Sequence, residues 1–252
     1  MSDLFTKKTY RKLRKLYRQI KGIKMKKFLG CLILLIMPSY IFGLAGFGLQ
    51  FGQDFSKLSG YEDNETVGVT VKSYEMDSNP FGLGGYAFVD LFGFALEAEG
   101  DFAFGPYQFE FINPVNTLGP VEFGWARASY GLTLKKNLMD ISIPILAKAA
   151  INAGVGINGH TYTPRASVDM MGKLLDGGDL TSSFTPDDLE NKLIEYLKDN
   201  KEDERGLHVQ AGLRFKVLIL DTHFNLRYTI VENVYDGSNG YAQAMFKVGM
   251  AF

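Results

Sequence analysis

From residue 207 onward the chain alternates apolar and polar positions with a period of two, the mark of strands with two unlike faces. Leu207, Val209, Ala211, Leu213, Phe215 and Val217 share one face, and His208, Gln210, Gly212, Arg214 and Lys216 share the other. Next, Phe224, Leu226, Tyr228 and Ile230 oppose His223, Asn225, Arg227 and Thr229. The last stretch sets Ala242, Ala244, Phe246, Val248, Met250 and Phe252 against Gln243, Met245, Lys247, Gly249 and Ala251. These patterns predict strands at 206–218, 222–231 and 241–252.

Earlier segments repeat the pattern with other chemistry. Phe94, Leu96, Ala98, Gly100 and Phe102 oppose Glu97, Glu99 and Asp101, which predicts a strand at 93–104. A longer run, 140–162, sets Ile141, Ile143, Ile145, Ala147, Ala149, Ile151, Ala153, Val155 and Ile157 against Ser142, Lys148, Asn152, Asn158 and His160. Residues 121–135 change phase near Trp125, which suggests a β-bulge or a strand that starts later. Residues 46–55 and 82–90 are strands rich in glycine and aromatics. Short connections at 90–93, 135–140 and 218–222 alternate with long ones at 56–79, 105–120, 162–205 and 232–240.

Counted back from Phe252, this is an antiparallel up-and-down sequence of eight strands, an even number. Residues 66–74, with Val67, Val69 and Val71 alternating, then extend a neighbouring strand into the first long loop; if they span on their own, parity demands ten strands. The 162–205 insertion differs in kind. Thr185, Pro186 and Asp188 make a helix start, and Leu189, Leu193, Tyr196 and Leu197 lie on one face of the helix that follows, to about Asp199. An amphipathic helix there packs over the barrel rim, or else plugs the lumen or lies on the membrane surface.

Alternation does not say which face points inward, because a soluble ligand-binding barrel shows the same period with its apolar side inside. The leader and the connections decide. From Met25 the chain reads as a charged segment (Lys26, Lys27), an apolar run over 28–37, and small residues at Gly43, Ala45 and Gly46, the layout of a cleaved secretory signal peptide. The run is shorter than a bilayer-spanning helix of roughly 20 residues, and Pro38 interrupts it. Residues 1–24, dense in Lys and Arg, read as a basic extension or a start assigned too early. That leaves 25–45 as the signal peptide and 46–252 as the barrel. Alternating long and short connections are what membrane barrels show.

The final strand adds a family. Phe246, Gly249, Met250 and Phe252 resemble the C-terminal assembly signal of bacterial outer-membrane β-barrel proteins: a terminal aromatic, alternate apolar residues before it, and a nearby glycine. The resemblance covers only this strand, and Met250 stands where an aromatic is common. It implies an all-β, transmembrane antiparallel barrel in the outer membrane. Lipid would surround it, and the barrel assembly machinery and periplasmic chaperones would be its partners during export. Tyr, Phe and Trp125 near strand ends would form the interfacial girdles.

Composition narrows the chemistry. The formal net charge of -1 conceals two unlike parts: residues 1–45 hold eleven Lys and Arg against Asp3 alone, which leaves an acidic body. An acidic body argues against nucleic acid as a partner. The single cysteine, Cys31, lies in the leader, so the mature chain has no thiol for disulfide, zinc or nucleophilic chemistry. No cofactor or metal site is expected. No Gly-x-Ser-x-Gly elbow occurs, and His160, His208 and His223 lack the spacing of a zinc site and are expected to point inward, hydrogen-bonded.

With apolar residues outward, Glu97, Glu99, Asp101, Lys148, Arg214, Lys216, Arg227 and Lys247 face the lumen. In an eight-stranded barrel the interior is about wide enough for side chains to fill, so opposite charges pair and close it. Alternatively they line a narrow conduit or a pocket for a small molecule of unknown identity. The expected function is a structural or surface-interaction role without enzymatic activity. A transporter or channel for a small solute is the alternative, and a lipid-modifying enzyme a distant third.

Overall fold

The computed structural model describes residues 45–64, 68–91, 93–115, 117–143, 146–174, 192–193, 196–197, 199–235 and 237–252. The leader, the basic extension and the helix start at Thr185, Pro186 and Asp188 lie outside them. The strands are β1 (Ala45–Asp54), β2 (Tyr61–Asp63), β3 (Thr70–Ser73), β4 (Phe81–Leu91), β5 (Phe94–Ile112), β6 (Thr117–Ile143), β7 (Ala147–Tyr162), β8 (Glu202–Val217), β9 (Leu220–Ile230) and β10 (Tyr241–Ala251).

Eight of them close a ring. β1 pairs with β4, β4 with β5, β5 with β6 and so on through β10, which pairs back on β1, every contact antiparallel. Backbone hydrogen bonds between Phe252 and Ala45 complete the seam. Gly48 and Gly249 face each other across it, and a Cβ on Gly249 would lie 2.2 Å from the Phe47 carbonyl oxygen, so this approach requires glycine. Closure satisfies each strand's backbone within the ring, which is what allows strands to cross a bilayer.

β2 and β3 do not span. β3 pairs with the far end of β5, Phe109 to Ile112, and β2 pairs with β3, so residues 70–73 extend a neighbouring strand as the eight-strand count requires. Short turns gather at one end of the barrel, here the turn end, and long connections at the other, the loop end.

Several boundaries differ from the sequence reading. Residues 135–140 are not a turn: β6 continues through them to Ile143, and the turn falls after it. Ile141 and Ile143 keep the parity of the residues beyond the turn, which hid it. No phase change occurs at Trp125, since Phe123, Trp125, Arg127, Thr133 and Lys135 are all buried on one face. The register instead shifts at Phe109/Phe111 and at Asn137/Met139. Most of 105–120 is strand, because β5 and β6 rise past their neighbours as a hairpin. A helix absent from the sequence reading, α1 (Val168–Leu174), follows β7.

Outward positions carry a belt of exposed apolar side chains on all eight barrel strands, among them Leu49, Leu83, Leu96, Leu132, Val155, Val209, Leu226 and Phe246. In water so large an apolar surface would be untenable. It is the lipid face of a membrane-spanning barrel, with the charged positions inside.

Candidate functional site

The lumen is built by the same alternation, since each inward position of one strand meets a diagonal neighbour on the next. Glu97 on β5 thereby reaches Lys135 on β6 at 2.5 Å, Asp101 reaches Arg127 at 3.4 Å, and Arg214 on β8 reaches Asp221 on β9 at 2.7 Å. Other pairs cross the barrel. Lys247 on β10 meets Glu97 at 2.8 Å and Glu99 at 2.5 Å, and Arg227 on β9 also binds Glu99. Arg127 meets Asp54 on β1 at 2.6 Å, and Arg214 meets Asp90 on β4 at 2.7 Å.

The pairs stack in three tiers. At the loop end, Asp54 accepts hydrogen bonds from Arg127, from Gln243 at 2.8 Å and from the Tyr235 hydroxyl. In the middle, Glu97 and Glu99 share Lys247, with Lys135 and Arg227 at either side. At the turn end, Arg214 lies 4.5 Å from the centroid of the Phe88 ring between Asp90 and Asp221. The acids Asp54, Asp90, Glu97, Glu99, Asp101 and Asp221 balance the cations Arg127, Lys135, Arg214, Lys216, Arg227 and Lys247. Buried charge is tolerable only in such paired form.

Of the residues expected to face the lumen, Glu97, Glu99, Asp101, Arg214, Arg227 and Lys247 are brought together. Lys216 is buried two residues nearer the turn end. Lys148 stands apart, half-buried and 3.8 Å from Asp140. The sequence reading missed Asp54, Asp90, Arg127, Lys135 and Asp221. Lys135 and Asp90 had been assigned to turns, and Arg127 lay beside the supposed phase change.

All three histidines point inward, as expected. A hydrogen bond joins His160 Nδ1 to Ser129 Oγ at 2.9 Å, and another joins His208 Nε2 to Thr133 Oγ1 at 2.8 Å. Among the described residues His160 Nε2 has no hydrogen-bond partner. His223 packs edge-on to Tyr86 and Phe88, 3.4 Å from Asp221. Among the described residues no group of His, Cys, Asp and Glu has the arrangement of a metal site.

Above the charged tiers the chemistry changes sharply. The inward face of β5 continues as Tyr107, Phe109 and Phe111, and that of β6 as Trp125 and Phe123, all buried. Trp125 is therefore no girdle residue: it is 1% exposed and packs on Tyr235, ring centroids 5.0 Å apart. Val71 of β3, Met170, Met171 and Leu174 of α1, and Val234 and Tyr235 of the last loop complete this cluster.

Local capping explains α1. Ser167 accepts from the Met170 N–H at 3.1 Å, Asp63 from the Val168 N–H at 2.8 Å, and Asp169 sits in the first turn. Leu193, Tyr196 and Leu197 pack against the same cluster, as the predicted amphipathic face requires. The loop end thus carries an apolar folded cap over a charged lumen. At the seam, Phe246, Met250 and Phe252 are exposed on the lipid face while Gly249 turns inward.

No family model matches the chain, and no curated protein matches it. Solved structures that align with it include the attachment invasion locus protein Ail of Yersinia pestis, at 11% identity over 83% of this chain and 99% of that chain, TM-score 0.41. The N-terminal β-barrel domain of Pseudomonas aeruginosa OprF aligns at 11% identity over 84% and 99%, TM-score 0.42. Neisserial surface protein A aligns at 16% identity over 82% and 97%, TM-score 0.37. The barrel itself is established by the closed strand pairing described above.

Proposed function

We propose that the chain is a small barrel of the Gram-negative outer membrane whose lumen is held shut and whose folded cap serves a structural or surface-interaction role, without enzymatic activity. One observation supports this reading: the lumen's acids and cations bind one another in three tiers beneath an apolar aromatic cluster, so charge meets charge where an open pore would present it to water. Export through the 25–45 leader, and delivery by chaperones to the assembly machinery through the Phe246 to Phe252 strand, belong to the same reading. Purified, refolded protein in planar lipid bilayers tests it. The expected record is a flat baseline, and reproducible unitary currents would overturn the closed lumen.

A second reading has one observation in its favour. On the β7 to β9 wall, Asn152 Oδ1, Gln210 Nε2, Asn225 Oδ1 and Nδ2, and His208 Nδ1 are buried without a hydrogen-bond partner among the described residues, as a narrow polar conduit for a small solute would leave them. Under that reading, loosening the cap with Phe111→Ala exposes a conducting path. Under the closed-lumen reading, the same variant stays silent.

A further inference from the structure

On β5 the exposed apolar run begins at Phe94 and reaches Phe104 before outward positions turn polar at Gln108 and Glu110. On β6 these two limits pair with Lys136 and Ala126. The outward face of β6 departs from this frame. At the loop end it carries only the small residues Ala128, Ala126 and Gly124 between Tyr130 and Glu122, the register partner of Gln108. At the turn end the strand continues past Lys136 through 137–143, paired only with β7. Strand tilt offsets neighbours by only roughly one residue. The large apolar side chains of β6 thus give out four positions earlier at the loop end, where the polar limit is shared with β5, and run on past Lys136 at the turn end.

The register shift at Asn137/Met139 makes the extension coherent. Leu138 and Met139 are both exposed, and outward parity passes from even to odd positions, so that Ile141 and Ile143 continue the row. Ile141 is 77% exposed, among the most exposed large apolar residues of the barrel. Asp140 alternates with this row and lies against Lys148. The adjacent turn repeats the chemistry: Leu218 and Ile219 connect β8 to β9, and the Leu218 N–H donates to the Leu146 carbonyl at 2.9 Å, which joins the two turns. Leu218 has a φ of 56°, a conformation for which Asn or Gly is the ordinary choice. An apolar residue held there in water would gain nothing. Lys136, the charged residue within the outward row, extends to the Phe94 ring, 5.5 Å from its centroid, and so directs its ammonium to the belt edge on β5.

We infer that the β6–β7 hairpin and the β8–β9 turn are immersed in phospholipid, so that the barrel sits inclined with its β6 to β8 wall sunk toward the turn-end leaflet. The occupant of this surface is the headgroup–acyl boundary of the turn-end leaflet, because the row is continuous with the lipid belt of β6 while the edge of 137–143 that no strand pairs must still reach water. An apolar row longer than the leaflet is accommodated by tilt. This rests on the membrane reading of the belt.

Tryptophan quenching tests both separately. The chain has one tryptophan, so Trp125→Phe gives a silent background. Into it go Ile141→Trp at the turn end of β6 and Ile219→Trp on the β8–β9 turn, Val209→Trp as a belt reference and Glu122→Trp as an aqueous reference. Each is refolded into phosphatidylcholine liposomes with brominated acyl chains. Both Ile141→Trp and Ile219→Trp should be quenched clearly more than Glu122→Trp, with blue-shifted emission. Phe102→Trp should be quenched more strongly than Ala128→Trp, its register partner on β6. If the turn-end variants match Glu122→Trp while Val209→Trp is quenched, the inference is wrong, and the turns face water as a protein-docking surface. Equal quenching at Phe102→Trp and Ala128→Trp would reject the inclination. An unquenched Val209→Trp would overturn the membrane reading together with the inference. Two turn-end positions on different elements keep the test intact if one variant does not fold.

Discussion

The inward face of β5 carries Glu97, Glu99 and Asp101 along one half and Tyr107, Phe109 and Phe111 along the other. One strand and one parity thus serve two cores of opposite chemistry. The difference lies in what surrounds them. Inside the belt the outer face is given to lipid, and the ring leaves a lumen that six acids and six cations fill without net charge. Above the belt the outer face is wet, so the apolar residues return inside and need a roof, which β3, α1 and the last loop supply. Where apolar residues can point is set by the solvent outside, and the lumen takes what remains.

The two cores should fail differently, and the largest effect belongs to the charged one. Lys247→Met leaves Glu97 and Glu99 short of the cation they share, and breaking a buried pair from one side costs about 3–5 kcal/mol. Urea titration in detergent micelles should show the whole barrel unfolding at a clearly lower midpoint. A loss under ~1 kcal/mol would mean that water, not Lys247, balances these carboxylates. Met170→Ala makes a cavity in the cap, with a cost of roughly 2–4 kcal/mol. Its expected signature is local: limited proteolysis cuts within 163–201 while the barrel's unfolding midpoint holds. A barrel that unfolds in step with the cap would show that the two cores are one cooperative unit.

How much of this was visible in the sequence follows the same divide. β8, β9 and β10 alternate without interruption, so their faces and the inward Arg214, Arg227 and Lys247 were readable, as was the eight-strand parity that assigns 70–73 to an extension. β6 was not. Its outward positions between Gly124 and Ala128 are too small to mark a face, which left Trp125 looking like a phase change. Further along, Lys135, Lys136, Asn137 and Asp140 have the composition of a turn, although Lys135 is an inward partner of Glu97. The cap escaped because Met170, Met171 and Leu174 sit in a long acidic insertion, where local composition says loop and only tertiary packing says core. Asp54 and Arg127 were missed because their meaning is a contact across 73 residues.

That contact joins the two cores, and it sharpens the comparison with a smaller effect. Asp54→Asn keeps the shape but removes the charge that Arg127 and the Tyr235 hydroxyl meet, at a cost of about 1–3 kcal/mol. Because Trp125 packs on Tyr235, its emission reports the change directly. A red shift is expected before any loss of barrel structure, and unaltered emission would mean that the cap holds Tyr235 without help from the lumen.

The smallest effect should come from the cap's outer surface. Lys173 in the last turn of α1 lies 2.9 Å from Asp169, one turn earlier and well exposed, and the hydrogen bond to that carboxylate holds its ammonium above the ordinary lysine range. Pairs of this kind are screened by salt and held at the expense of side-chain freedom, so Lys173→Ala should leave the proteolysis rate of the cap unchanged. Lys173 also lies 5.6 Å from the centroid of the Tyr196 ring, which packs against the apolar cluster. If Lys173→Ala does accelerate cleavage, two controls separate the causes. An effect abolished by high salt would belong to the ion pair. One that persists in salt and disappears in a Tyr196→Leu background would belong to the ring, which would make Tyr196, rather than the α1 ion pair, the contact that holds the roof.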